Sequence, residues 1–291
     1  MKALVLALVL GVSLAHSAAA DTNDPIVKLV DAGKAPLKPL RLTAKKGLKK
    51  TVITRMTMGL SMDLGNGTPI AQDMPPIEMV FTMKVTDAAA NGDIRYDVAF
   101  KRPKVIASAL TSPTVVKAMN DAFKGVDGIT GYTVMTNRGF VKEVKLDVPA
   151  STSPQVKQML DSMKQSMSQI SSPFPDEAVG IGAKWDTITK VSANGLEIQQ
   201  TASNRLVSLK GNKATLNIVL AQTAKPQTFS ANGITANLES YAADGTGETV
   251  FDLAGLIPST ATIGMKSAMK MSAAGQKIGM KLSVDMTLKA K

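Results

Sequence analysis

The sequence contains no cysteine, and its only histidine, His16, lies within the first 20 residues. Those residues combine a positive charge at Lys2 with an apolar run and the small-residue stretch SAAA, the pattern of a secretory signal peptide. Cleavage before Asp21 would remove the histidine, and residues 21–291 would then lack Ser-His-Asp and Cys-His nucleophiles and His- or Cys-ligated zinc. We therefore expect an exported protein, periplasmic or extracellular, that is not an enzyme and has no cofactor.

Aromatic residues and long apolar runs are also scarce. Aromatic residues make up 4% of the chain and are not interleaved with the basic runs, which argues against nucleic-acid binding. After the predicted signal peptide no run of about 18 apolar residues occurs, so we expect no transmembrane span.

Basic residues outnumber acidic ones, which gives a formal net charge of +11. A basic exported protein is attracted to anionic partners such as lipid head groups, lipopolysaccharide and cell-wall polymers. The densest basic cluster is the segment AKKGLKK, which is either a solvated turn or an anion-binding patch. Its lysines, the candidate anion-binding residues, are Lys45, Lys46, Lys49 and Lys50.

Alternating apolar and polar residues dominate the chain from residue 48 onward, which predicts long β-strands. In the segment Leu48 to Leu64 most even positions are apolar, and we expect a bend at Gly59. Short turn-forming segments separate the strands, which predicts antiparallel hairpins. The predicted turns are NG at 66–67, ANGD at 90–93, TNRG at 136–139, SANG at 192–195, KGNK at 210–213, DGTGE at 244–248 and AAGQ at 273–276.

Two helices are predicted to interrupt the strands, near 113–124 and 154–171, because each begins with Ser-Pro and has an apolar stripe. The predicted fold is mainly β with two helices (α+β). Its long antiparallel strands form an open or closed barrel or a two-layer sheet, with the helices packed on the concave side. Residues 1–20 are expected to be the signal peptide, 21–38 a mobile N-terminal lead-in, and 39–291 a single domain.

Methionine is abundant, with 17 residues in the chain, and most of them occupy apolar positions of predicted strands or of the second helix. Such methionines either fill an ordinary core in place of leucine or line an adaptable cavity for an acyl chain or an apolar partner. The candidate lining residues are Met56, Met58, Met62, Met79, Phe81, Met83, Met159, Met163, Met167, Met269, Met271, Met280 and Met286. Thioether sulfur also binds Cu(I), but these residues are spread over several elements.

The segment FPDEAVGIGAKWDTITKV, residues 174–191, resembles an exported bacterial family of unknown function. The similarity lies in a P-x-x-x-V-x-x-G-x-x-W pattern carried by Pro175, Val179, Gly182 and Trp185. The family has no assigned activity, so the resemblance implies no functional residues. The predicted architecture is also similar, more loosely, to the half-barrel of periplasmic lipoprotein carriers.

Three functions follow from these observations. The first is a non-enzymatic exported protein that holds a lipid, a lipidated partner or another apolar ligand in a cavity lined by Met, Leu and Val. The alternative is an envelope or cell-surface interaction protein with a solid core that binds anionic polymers. The third is a methionine-rich protein that binds Cu(I).

Overall fold

The computed structural model describes residues 24–65, 69–108, 111–148, 157, 164, 173–193, 195–231 and 234–291. The predicted signal peptide and the predicted turn at 66–67 lie outside these residues. The strands of the first half are β1 (Ile26–Asp31), β2 (Lys34–Lys38), β3 (Lys49–Asp63), β4 (Ile70–Ala88), β5 (Asp93–Phe100), β6 (Lys104–Val105), β7 (Thr130–Thr136) and β8 (Val141–Asp147). Those of the second half are β9 (Val179–Ile181), β10 (Lys184–Ala193), β11 (Leu196–Lys210), β12 (Lys213–Ala224), β13 (Gln227–Ala231), β14 (Ile234–Asp252), β15 (Pro258–Ala273) and β16 (Gln276–Ala290). The described helix is α1 (Pro113–Ala122).

The strands form one large antiparallel sheet of 14 strands and a small sheet of two. The order in the large sheet is β1-β10-β11-β12-β14-β15-β16-β3-β4-β5-β7-β8, with β13 beside β14 and β6 beside β4. Strands β2 and β9 make the small sheet. Within the described residues β1 and β8 are the two ends of the order, so the large sheet is open.

The predicted α+β fold with two helices is wrong, because the described chain is nearly all β and contains one short helix. The closed-barrel alternative is also wrong, since the sheet is open. The helix predicted near 113–124 is present as α1, whereas the helix predicted at 154–171 lies outside the described residues except for Lys157 and Lys164. No helix in the described part of the chain is long and apolar enough to span a membrane.

The predicted hairpin turns explain much of the antiparallel order. The segments ANGD, TNRG, SANG, KGNK and AAGQ join consecutive paired strands, β4–β5, β7–β8, β10–β11, β11–β12 and β15–β16. The segment predicted as an N-terminal lead-in contributes β1, which pairs with β10, and β2.

Strand β3 is long and one-sided, as its alternation predicts, but its irregularity does not lie at Gly59. The register between β3 and β4 shifts between Met56 and Met58, where β4 contains Pro75 and Pro76. Proline lacks the N–H group that a regular ladder needs, so the extra residue of this bulge falls on β4. Gly59 itself pairs in register with Asp73.

The main hydrophobic core lies between two wings of the sheet. We call β1, β10, β11, β12 and β14 the first wing, and β3, β4, β5, β7 and β8 the second wing. A single buried cluster joins Trp185, Leu206 and Leu216 of the first wing to Val85 and Tyr96 of the second. The inner faces of the two wings therefore pack against each other, and their alternate residues face solvent.

Residues 40–44, which we call the strap, run between the wings. The N–H of Leu42 donates to the carbonyl oxygen of Asn137 at 2.7 Å, and the N–H of Thr43 donates to the carbonyl oxygen of Leu253 at 2.6 Å. Asn137 lies in the β7–β8 turn and Leu253 follows β14, so adjacent residues of the strap bind opposite wings. Leu40 is fully buried within the main core.

We expect Leu40→Ala to destabilise the protein by about 2–5 kcal/mol, because it removes a fully buried side chain and leaves a cavity. The matched control is Leu37→Ala, since Leu37 lies in the preceding strand with 45% of its surface exposed. Urea denaturation followed by circular dichroism measures both. Equal changes in the two variants would contradict a central role for the strap.

Burial of Tyr96 makes the protein sensitive to alkali. Burial raises the pKa of the Tyr96 phenol above its usual value of 10.0. The stabilisation is complete below pH 10 and is lost as pH rises toward the folded-state pKa, because only the unfolded chain then releases the proton. We expect the urea midpoint to fall more steeply above about pH 10 in the wild-type protein than in Tyr96→Phe. Parallel curves for the two proteins would refute this assignment.

Candidate functional site

The methionines of the middle strands form one surface, which we call the methionine face. It consists of the inward-facing residues of β15, β16, β3 and the first half of β4. Directly paired residues form three rows across these strands. The rows are Ile263–Met286–Met56–Ile77, Met265–Val284–Met58–Met74 and Met269–Met280–Met62–Ile70. The sheet thus brings together candidate residues that are more than 200 positions apart in sequence.

Helix α1 covers one end of the methionine face. Met119 of the helix is buried against Met74 and Ile77, and Met56, Met58 and Met79 pack around this cluster. Ser112 precedes the helix as predicted, although its side chain makes no capping hydrogen bond. This end of the face is therefore an ordinary packed core, the simpler of the two interpretations of these methionines.

Other candidate residues lie elsewhere. Met83 belongs to the main core, and Phe81 packs against that core and contacts Phe100 in a tilted arrangement, with ring centroids 5.6 Å apart. Met159, Met163 and Met167 lie outside the described residues. The predicted set therefore divides between a core and a separate face.

Burial also divides the methionine face. Met62 and Met271 are each 3% exposed, whereas Met269, Met280 and Met286 are half-buried. Met269 pairs directly with Met280, and Leu282 lies in the next row. Met269 and Met280, in the row away from α1, are half-buried although the neighbouring Met62 and Met271 are buried, so this pair keeps apolar atoms accessible to a ligand.

Strand β14 borders the methionine face with small residues. Ala243, Gly245 and Gly247 face inward beside Ser267, Met265 and Ile263 of β15. A Cβ atom on Gly245 would lie 2.5 Å from the carbonyl oxygen of Gly264, so only glycine fits this close approach of β15. The prediction that DGTGE forms a turn is wrong, because these glycines lie inside a 19-residue strand.

Polar side chains run along the inner face next to the methionines. The Tyr241 hydroxyl donates to Gln222 Oε1 at 2.6 Å, and Gln222 Nε2 donates to Gln200 Oε1 at 2.7 Å. Burial raises the pKa of Tyr241, and a hydrogen bond with Ser267 opposes the shift. Tyr241 pairs directly with Met269, so this polar row adjoins the half-buried methionines.

None of these polar residues is among the candidates predicted from the sequence. The available signal is Gln222, which continues the inward-facing series of Leu216, Ile218 and Leu220 and is a polar residue at an apolar position. Tyr241 could not be assigned to a face because the segment after it was predicted as a turn.

The candidate anion-binding lysines separate into two pairs. Lys45 and Lys46 lie exposed before β3, outside any described groove. Lys49 and Lys50 begin β3 and line an open groove of about 800 Å³ on the outer side of the second wing. Among the described residues no group of three or more His, Cys, Asp or Glu side chains could hold a metal ion. The Cu(I) site, which would use methionine sulfur, stays a prediction.

The four residues of the P-x-x-x-V-x-x-G-x-x-W pattern have structural positions. Trp185 and Val179 are buried in the main core, and Pro175 is also buried. Arg41 of the strap donates from Nη1 to the carbonyl oxygen of Pro175 at 3.0 Å. Gly182 adopts a φ of 91°, which favours glycine. The pattern therefore describes how this segment packs against the strap.

Dilute hydrogen peroxide should oxidise the half-buried methionines before the buried ones, because oxidation follows exposure. The half-buried set is Met269, Met280 and Met286, and the buried set is Met62, Met83 and Met271. Peptide mass spectrometry over a time course measures the rates, and a sample unfolded in urea gives the reference in which all rates converge. Equal oxidation rates of the two sets in the folded protein would contradict this difference in burial.

Comparison with known proteins gives one family match. Residues 152–251 match DUF6263, a family of unknown function, and this region includes Pro175, Val179, Gly182 and Trp185. No curated protein matches the chain. The structure of Ail, the attachment invasion locus protein of Yersinia pestis, is similar over 84% of this chain and 99% of that chain. Its identity is 7% and its TM-score is 0.16, a likeness that carries no argument about function.

Proposed function

We propose that this is a non-enzymatic exported binding protein that holds an amphipathic ligand, such as a fatty acid or a lipid, on the methionine face at the half-buried pair Met269 and Met280. The proposal rests on the contact between an apolar surface and a polar one. The half-buried pair Met269 and Met280 lies beside the polar row of Tyr241, Gln222 and Gln200.

The methionines suit an acyl chain because of their flexibility. Methionine has three rotatable bonds and a polarisable sulfur, so it repacks around ligands of different shape at low cost. Leu282 and Val284 extend the same half-buried surface.

The polar row suits a ligand head group. Binding sites for small molecules are mostly apolar with a few polar groups that fix orientation. The Gln222 and Gln200 amides and the Tyr241 hydroxyl already bind one another, so they are oriented before a ligand arrives. A head group would replace or extend these hydrogen bonds, while the chain would lie along Met269 and Met280.

The first test is uptake of a dansyl-labelled fatty acid by residues 21–291, followed by fluorescence. We expect the double substitution Met269→Ser, Met280→Ser to weaken binding by about tenfold or more, since each loses about 1–3 kcal/mol of apolar contact. The pair Met269→Leu, Met280→Leu should retain binding within about threefold because it keeps the apolar volume.

Two controls make this test specific. Lys266→Ser with Lys281→Ser changes exposed residues of the same two strands on the outer face and should leave uptake unchanged. Native mass spectrometry of protein purified from its host should detect a bound lipid. Ligand-free protein from the host, together with no uptake of the probe by the wild type, would refute the proposal.

A further inference from the structure

The outer face of the second wing contains a groove of about 800 Å³ that is rich in positive charge. We call it the basic groove, and five strands contribute to it. Its charged lining residues are Lys49, Lys50, Lys84, Arg95, Lys145, Lys291, Asp97 and Asp147. Lys50 pairs with the core residue Met83, so five of the six cations share the outer face with the two carboxylates, an excess of three positive charges.

The strand register places these charges in order across the sheet. Lys49 pairs with Lys84, Lys84 with Asp97, Asp97 with Tyr132, and Tyr132 with Lys145. Directly paired residues share a face, so this row crosses the groove from β3 to β8. Lys84 and Lys145 are three strands apart, which corresponds to roughly 14 Å at 4.7–4.9 Å per strand. Positive charge thus lies at both ends of the groove.

The pairing of Lys49 with Lys84 has an energetic cost. Like charges directly opposite each other in an antiparallel pair destabilise the sheet. Within the described residues, Lys49, Lys84 and Lys145 form no ion pair within 4.0 Å, whereas Lys142 nearby binds Asp93 at 2.8 Å. A bound anion would offset the repulsion that the protein's own carboxylates leave in place.

Tyr132 gives the groove a fixed floor. The Arg95 guanidinium lies 3.5 Å from the centre of the Tyr132 ring, and the Tyr132 hydroxyl donates to Glu143 at 2.6 Å. Arg95 is therefore held close to the aromatic ring, whereas Lys145 Nζ lies 6.0 Å from the ring centre and can turn toward a ligand, as can Lys49 and Lys84. A lysine ammonium binds phosphate as a point charge, without the paired geometry that arginine provides for carboxylates.

We propose that the basic groove binds a ligand that carries two phosphate groups, one at the Lys49–Lys84 end and one at the Lys145 end. Two phosphate monoesters carry about three to four negative charges at neutral pH, which is close to the excess charge of the groove. The chemistry is the same for a soluble bisphosphate and for a bisphosphorylated lipid head group. This inference does not depend on the proposed apolar ligand, because the groove lies on the opposite face of the sheet.

Isothermal titration calorimetry of residues 21–291 at low salt tests the proposal, with fructose bisphosphate, fructose monophosphate and fructose as probes. We expect the bisphosphate to bind about tenfold or more tightly than the monophosphate, and fructose not to bind. Raising the salt concentration should weaken the binding, because the groove is open to solvent. Equal affinity for the two phosphates, or no binding of the bisphosphate at low salt, would overturn the proposal.

The matched variants separate the groove from general positive charge. Lys84→Gln with Lys145→Gln should weaken bisphosphate binding by about tenfold or more. Lys266→Gln with Lys281→Gln removes the same charge from exposed positions on β15 and β16 and should change it by less than about twofold. Equal losses of affinity in the two double variants would show that net charge alone attracts the bisphosphate, and would overturn the proposed site.

Two further measurements distinguish a lipid head group from a free ligand and test the repulsion between Lys49 and Lys84. Binding to vesicles that contain lipid A, lost in the Lys84, Lys145 variant, would indicate a head group, whereas binding of the soluble bisphosphate alone would indicate a free ligand. In the ligand-free protein, Lys49→Gln should raise the urea midpoint at low salt because it removes the repulsion with Lys84 and leaves the pairing of Lys84 with Asp97 in place. A lower midpoint would contradict the argument from paired like charges.

Discussion

The strap at residues 40–44 is the constraint on which the fold depends, because it binds both wings of an open sheet at once. Leu42 and Thr43 are adjacent, yet their N–H groups donate to carbonyl oxygens at Asn137 and Leu253 on opposite wings. An open sheet has no ladder that joins its two ends, so only side-chain packing and connections of this kind can hold its wings together. Arg41 extends the connection by binding the carbonyl oxygens of Pro175 and Asp176.

Side-chain packing is densest around the strap. Where the wings meet around it, the core contains large and fully buried side chains such as Trp185, Phe174 and Leu40. The middle strands β15 and β16 lie between the wings and present half-buried methionines instead. Tight packing requires defined shapes, whereas methionine tolerates irregular space. Large side chains of defined shape therefore occupy the inner face where the two wings face each other, and methionines occupy it on β15 and β16.

Much of the fold could be predicted from the sequence, because strand periodicity and turn chemistry act locally. The faces of β3 and five hairpin turns follow from alternation and from Asn-Gly-like segments. The path of β14 could not be predicted, since Gly245 and Gly247 have the composition of a turn and only the neighbouring backbone of β15 explains them. The α+β assignment failed because α1 is short and the rest of the described chain is nearly all β.

The two candidate sites could be predicted only in part, because each brings together residues from several strands. The methionines could be assigned to one face because parity is visible within each strand, but their rows depend on pairings between β16 and β3 at opposite ends of the chain. The basic groove needs five strands in register, so Lys49 and Lys50 were visible as a local cluster and Lys84, Arg95 and Lys145 were not.

The two candidate sites share β3 and β4 but use opposite faces of them. Successive residues of a strand point to opposite sides, so Met56 and Met58 contact the inner cluster under α1 while Lys49 and Thr51 line the outer groove. A substitution that changes charge on one face therefore leaves apolar contacts on the other in place. The same separation means that an apolar ligand inside and an anion outside could bind together, since neither needs the side chains that the other uses. An amphipathic molecule could not reach both surfaces at once, because the sheet itself lies between them.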